Sequence, residues 1–122
     1  MSDTYPRFIS SIYQYFNERN IDAILAMFDK NVHWPNGWEG GYVEGHDQVR
    51  NYWTRQWMEL NPNVQPVEIK ELPDGRIEVN VHQVVKDLKN NLVADGMVRH
   101  VYEFSNGLVK SMEINPEDNS PK

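Results

Sequence analysis

The sequence predicts an α+β domain in which three helices precede a mainly antiparallel sheet. Apolar residues recur at helical spacing through the first half of the chain and alternate with polar ones through the second. Turn sequences fall where a meander needs its hairpins. A length of 122 residues holds one sizeable core and no second one, so a single site is expected.

The first helix follows Pro6, where Ile9, Ile12, Tyr13 and Phe16 share one face at i, i+3, i+4, i+7. Asn20 then offers an N-cap and Asp22 a first-turn charge for a second, short helix whose face is Ile21, Ile24, Leu25 and Phe28. Val32-His33-Trp34-Pro35 is too short and aromatic for another helix and reads as a strand. Asn36-Gly37 and Gly40-Gly41 break the chain before Tyr42-Val43. From Gly45, Val49, Trp53, Trp57 and Leu60 mark a third helix, stopped by Asn61-Pro62. The period then changes. Ile77, Val79, Val81 and Val85 alternate with Glu78, Asn80, His82 and Lys86, and residues 64–72, 92–104 and 108–114 also read as extended. Pro73-Asp74-Gly75, Asn90-Asn91 and Asn106-Gly107 supply turns that tolerate positive φ. Residues 1–114 are therefore expected as one domain and 115–122, with two prolines and no apolar residue, as a frayed tail.

Composition excludes several functions. Eighteen acidic against twelve basic residues, with the basic ones scattered, disfavour nucleic acid as a partner. No apolar run is long enough to span a bilayer and no signal peptide is evident, so no membrane association and a cytoplasmic location are expected. The lack of cysteine removes disulfides, thiolate metal ligands and a cysteine nucleophile. His33, His46, His82 and His100 show no metal-binding spacing, and no phosphate-cradling or dinucleotide motif occurs, so neither metal nor cofactor is expected.

Order and spacing together carry a resemblance. The run from Asn20 to Val32 resembles the second helix and following strand of SnoaL-like and ketosteroid-isomerase-like proteins of the NTF2-like superfamily. Gly45 to Trp53 resembles the start of their third helix, and His100 to Val109 their last hairpin. The resemblance implies a cone-shaped NTF2-like fold, with three N-terminal helices on a curved, mainly antiparallel sheet, and a pocket at its wide end. It also implies, in many members, a homodimer. The family's activities run from isomerase, dehydratase and cyclase to plain binding. The position of the isomerases' general-base Asp corresponds to about Asn36, which takes no proton; their oxyanion-binding Tyr falls near Ile12, with Tyr13 one position off; and their second, carboxylic-acid donor falls on His100. Steroid isomerisation is thus not expected.

The remaining candidates follow from residue chemistry. His100 shares a strand face with Val98, Tyr102 and Phe104, as a general base or donor near neutral pH or, alternatively, as a core or interface histidine satisfied by one hydrogen bond. The catalytic candidates are His100, Asn36 and Tyr13; those for ligand binding are His33, Trp34, Trp38, Tyr52, Trp53, Tyr102 and Met112. The aromatic cluster suits a small apolar, ring-containing ligand, although Trp53 and Trp57 at i, i+4 equally suit the core. Among the acids, the resemblance singles out Asp95 and Glu113 for the pocket wall, since the family often places polar pocket groups on these last strands. A homodimer through the sheet is expected on a convex face carrying Val93, Met97 and Val101. Two functions stay open, a cofactor-independent isomerase, cyclase or dehydratase and a non-catalytic binding or dimerisation module.

Overall fold

The computed structural model describes residues 4–36 and 39–116. Helix α1 (Thr4–Asn17) buries Ile9, Ile12 and Tyr13, as its spacing dictates. It closes with Arg19 at φ 64°, where Asn20 N–H donates to Tyr15 O and Arg19 N–H to Phe16 O, which satisfies the last carbonyls. A left-handed arginine is strained, and its guanidinium offsets that strain by donating to Phe16 O and Pro62 O while lying 5.0 Å from the Trp57 ring centre. Asn20 caps α2 (Ile21–Leu25) by accepting from Ala23 N–H. Phe28 continues the apolar spacing of α2 in sequence, yet it opens β1 (Phe28–Pro35). There β1 lies parallel to β6, with Phe28 opposite Val109, and the Val109 N–H donates to Met27 O. This pairing, made across the whole chain, overrides the local helical pattern.

Strand β2 (Tyr42–Glu44) leads into α3 (Gly45–Trp57), whose inner face is Val49, Tyr52 and Trp53. Gly45 has φ +82°, a conformation natural to glycine at this sharp strand-to-helix junction. Leu60, expected on α3, instead begins β3 (Leu60–Glu71), which contains Pro62 and Pro66. Those prolines are tolerated because β3 is the sheet edge. Part of that edge is covered, since the Asn17 side chain donates to Val64 O and accepts from Val64 N–H.

Strands β4 (Ile77–Asp87), β5 (Leu92–Ser105) and β6 (Leu108–Pro116) complete a six-stranded mixed, curved sheet ordered β2-β1-β6-β5-β4-β3, in which β1–β6 is the parallel pair. β6 reaches Pro116, and the rest of the expected tail lies outside the described residues. The β5–β6 hairpin turns on Asn106 and Gly107, both at positive φ.

Alternation sorts these strands into two faces. Ile77, Val79 and Val81 face the helices together with their cross-strand partners Tyr102, His100 and Val98. Glu78, Asn80, His82, Arg99 and Val101 lie on the outer face. Val93, expected outside, instead lines the inner cavity, because the β4–β5 register slips by one residue between Val85 and Lys86. Val101 is only 6% exposed, between Glu78 and Glu113 on the neighbouring strands. Of the apolar row expected to mark a dimer face, Met97 is 37% exposed on the outer face, and Val93, which lines the cavity, is itself 56% exposed.

Candidate functional site

The helices and the inner sheet face enclose a cavity of about 410 Å³. Aromatic packing builds its wall. Trp34 stacks on Phe28 at 4.7 Å between ring centres and meets Trp53 edge-on at 5.6 Å, and Trp53 stacks on Trp57 at 5.8 Å. Val64, Val85, Val93 and Val98 extend the wall along the sheet.

At one end the wall is polar. The Tyr102 hydroxyl donates to that of Tyr13 at 2.8 Å, and the Tyr13 hydroxyl lies 2.7 Å from His100 Nδ1. The Tyr13 and His100 rings are stacked at 5.8 Å, so α1 and β5 meet through this chain of three side chains. Burial holds the His100 imidazole down at about 4, against an ordinary 6.5, so it is neutral at physiological pH. Burial likewise pushes both tyrosines above their ordinary 10.0, and for Tyr13 the neighbouring Tyr102 adds to the shift. The three groups thus form an uncharged, hydrogen-bonded cluster in an apolar setting, suited to sharing a proton with a ligand oxygen.

Of the residues expected from sequence, Tyr13, Trp34, Tyr52, Trp53, His100, Tyr102 and Met112 all line this cavity. Asn36 does not. Its side chain accepts from Glu39 N–H and donates to Glu39 Oε1, and its backbone pairs with Gly40 and Gly41 to close the β1–β2 loop. That contact, with Arg55 beside it, holds the Glu39 carboxyl below its ordinary value. His33 points the other way from Trp34, onto the outer face, where its Nδ1 lies 3.2 Å from Glu44 Oε2 and its ring stacks on Tyr42 at 4.2 Å. Trp38 lies outside the described residues. Asp95 and Glu113, expected at the pocket wall, lie on the outer face by strand parity, Asp95 held by His82 at 2.7 Å and Glu113 accepting from the Tyr42 hydroxyl at 2.6 Å. Sequence reasoning missed Gln56 and Gln83, both in the lining. A signal existed for each. Gln83 interrupts the inner row Ile77, Val79, Val81, Val85, and Gln56 stands at i+7 from Val49 and i+4 from Tyr52.

No three His, Asp or Glu side chains among the described residues are placed to hold a metal ion. No helix among them is long and apolar enough to cross a membrane.

A short three-helix layer over a mixed, curved sheet, with a cavity between them, is the NTF2-like fold. Within that class the chain belongs to the SnoaL-like domain family, whose model matches residues 9–112. A comparison with curated proteins finds no match. Among solved structures, one similar to this chain is an NTF2-like protein of unknown function from Burkholderia pseudomallei, at 23% identity and a TM-score of 0.78, with 91% of this chain and 88% of that one covered. Another is TerC, co-crystallised with polyporic acid, at 24% identity and a TM-score of 0.77, over 91% and 89% of the two chains. A third is SalBIII, an epoxide hydrolase/cyclase-like enzyme of pyran ring formation in the polyether salinomycin, at 18% identity and a TM-score of 0.80, over 96% and 93%. At these identities the likeness is one of fold.

Proposed function

We propose that the inner cavity binds a small, apolar, ring-containing molecule and that the protein acts on it without a cofactor, as an isomerase, cyclase or dehydratase. The observation that carries this reading is the Tyr102–Tyr13–His100 chain, set at the polar end of an otherwise apolar and aromatic cavity. Apolar walls supply burial, and a few fixed polar groups supply orientation. His100 is then the group that shares a proton with the ligand, while Tyr13 and Tyr102 position it. Similar folds in the cyclase-like SalBIII and in TerC, co-crystallised with polyporic acid, support reading the cavity as a small-molecule site.

Ketosteroid isomerisation is not part of the proposal. Asn36 takes no proton and its side chain is bound to Glu39. A missing general base removes on the order of 10²- to 10⁴-fold of rate. The test is titration of tryptophan fluorescence with a panel of polyketide-like rings, aromatic acids and steroids, followed by mass analysis of any product. Quenching is expected from ring compounds and should be lost in Trp34→Ala and His100→Ala. Quenching that survives both substitutions would place the ligand elsewhere, and turnover of a 3-keto-5-ene steroid would refute the exclusion.

A further inference from the structure

The protons in the Tyr102–Tyr13–His100 chain have one consistent arrangement. Tyr102 is fully buried, and the one hydrogen-bond partner its hydroxyl has among the described residues is Tyr13, at 2.8 Å. A buried O–H left without an acceptor is costly, whereas an oxygen tolerates an unused lone pair more readily. Tyr102 therefore donates to Tyr13. The Tyr13 proton then goes to the acceptor in reach, His100 Nδ1 at 2.7 Å. A neutral imidazole that accepts at Nδ1 carries its hydrogen on Nε2. Nε2 has no hydrogen-bond partner among the described residues, and the buried ring lines the cavity.

A second observation concerns charge. Among the described residues that line the cavity there is no Asp, Glu, Lys or Arg; the polar side chains besides the chain itself are Tyr52, Gln56, Gln83 and the indole N–H groups of Trp34 and Trp53. A ligand carboxylate or ammonium entering this space would shed its hydration and meet no counter-ion. A neutral oxygen would lose far less and gain an N–H donor.

We infer that the site selects an uncharged ring compound presenting a carbonyl-type acceptor to His100 Nε2–H, with Tyr102 and Tyr13 as the positioning residues that hold this tautomer. His100 then enters as a hydrogen-bond donor that polarises the carbonyl and not as a proton acceptor. The inference rests on reading the cavity as a binding site, and it adds the charge and the polarity of the ligand's head group.

The experiment uses ¹⁵N-labelled protein at neutral pH and three probes of one ring system: 2-acetylnaphthalene, naphthalene and 2-naphthoate. Long-range ¹H–¹⁵N spectra report the His100 tautomer, and calorimetry reports affinity. The free protein should show Nε2–H, and the ketone should bind about tenfold or more tightly than either the hydrocarbon or the carboxylate. Tyr13→Phe should release Nδ1, populate the Nδ1–H tautomer and narrow the preference for the ketone. Tyr102→Phe, which keeps Tyr13 on Nδ1, should leave Nε2–H dominant and tests the same chain should the first variant fail to fold. An Nδ1–H tautomer in the free wild-type protein would overturn the donor assignment, and naphthoate binding as tightly as the ketone would overturn the selection alone. Failure of all three probes to bind would overturn the binding-site reading together with the selection.

Discussion

Neighbouring residues on β4 and β5 live under opposite rules. On the inner face Val79, Val81, Val98 and His100 meet the helices, and the polar groups there satisfy one another: Tyr102 to Tyr13, Tyr13 to His100. On the outer face, one residue along, Glu78 lies between Lys70 at 3.5 Å and Arg99 at 3.2 Å, His82 holds Asp95 at 2.7 Å, and Tyr42 donates to Glu113. Both faces are rich in titratable groups. The difference lies in how solvation is replaced. Inside, burial drives each group to its neutral form and hydrogen bonds stand in for water. Outside, Lys70, His82 and Asp95 remain near water and pair as ions at little gain, and the more shielded Glu78 is met by two cations. A period of two residues is thus enough to separate a site that tolerates no charge from a surface that carries much of it.

The sharpest way to break this comparison is to move one charge across the sheet. Val81 is fully buried on the inner face, and Val84 lies on the outer face opposite Asp95. Val81→Lys should cost about 3 kcal/mol or more, since it buries an unpaired ammonium. Val84→Lys, with Asp95 in reach, should change stability by no more than about 0.5 kcal/mol. Urea unfolding of the two variants decides the matter, and similar shifts in midpoint would mean that the faces are not distinct in this way.

Acid provides the next test, because the neutral His100 is itself a stabilising feature. Its folded value of about 4 lies below the ordinary 6.5, so the fold favours the unprotonated ring. Above pH 6.5 both states are neutral and the contribution is complete. Between 6.5 and about 4 the unfolded chain takes up a proton that the folded one refuses, and stability falls; below about 4 the loss is complete. The shift corresponds to about 3 kcal/mol over that window. Unfolding curves at pH 7, 5.5 and 4.5 should show this slope in the wild type and lack it in His100→Gln, with the carboxylate contribution common to both. Equal slopes would remove the buried histidine from the account.

The same contrast explains what was legible in the sequence. Parity puts His100 on one face with Val98 and Tyr102 and puts Val101 on the other, and the structure agrees because the pairing with β4 runs unbroken between these positions. It failed at Val93, where the slip at Val85/Lys86 reverses the facing and no residue type announces it. Helical spacing identified α1 and α3 but ran on through Phe28 and Leu60, which belong to strands fixed by partners far along the chain, Val109 and Asp87. The Tyr13–His100 contact joins residues 87 apart, and the isomerase resemblance pointed to Ile12 for the hydroxyl. Only the packing of α1 on the sheet shows that Tyr13 makes the bond while Ile12 contributes to the apolar wall. The family resemblance points to Asp95 and Glu113 for the pocket because they lie on the last two strands, whereas parity alone assigns them to the outer face.

The smallest expected effect lies on that outer face. His82 Nε2 and Asp95 Oδ1 are 2.7 Å apart, a shorter contact than many buried hydrogen bonds, yet the side chains are 44% and 49% exposed. Distance alone would rank this pair with the Tyr13–His100 bond. Solvation ranks it far lower, because water competes for both partners in the folded state and solvates them fully in the unfolded one. A double-mutant cycle of His82→Ala and Asp95→Ala should give a coupling of at most about 0.5 kcal/mol near pH 6. It should shrink toward zero in 1 M salt, where the screening length falls to about 3 Å. A coupling well above about 1 kcal/mol that persists in salt would show that the outer face is shielded from solvent, as a face covered by another copy of the chain would be.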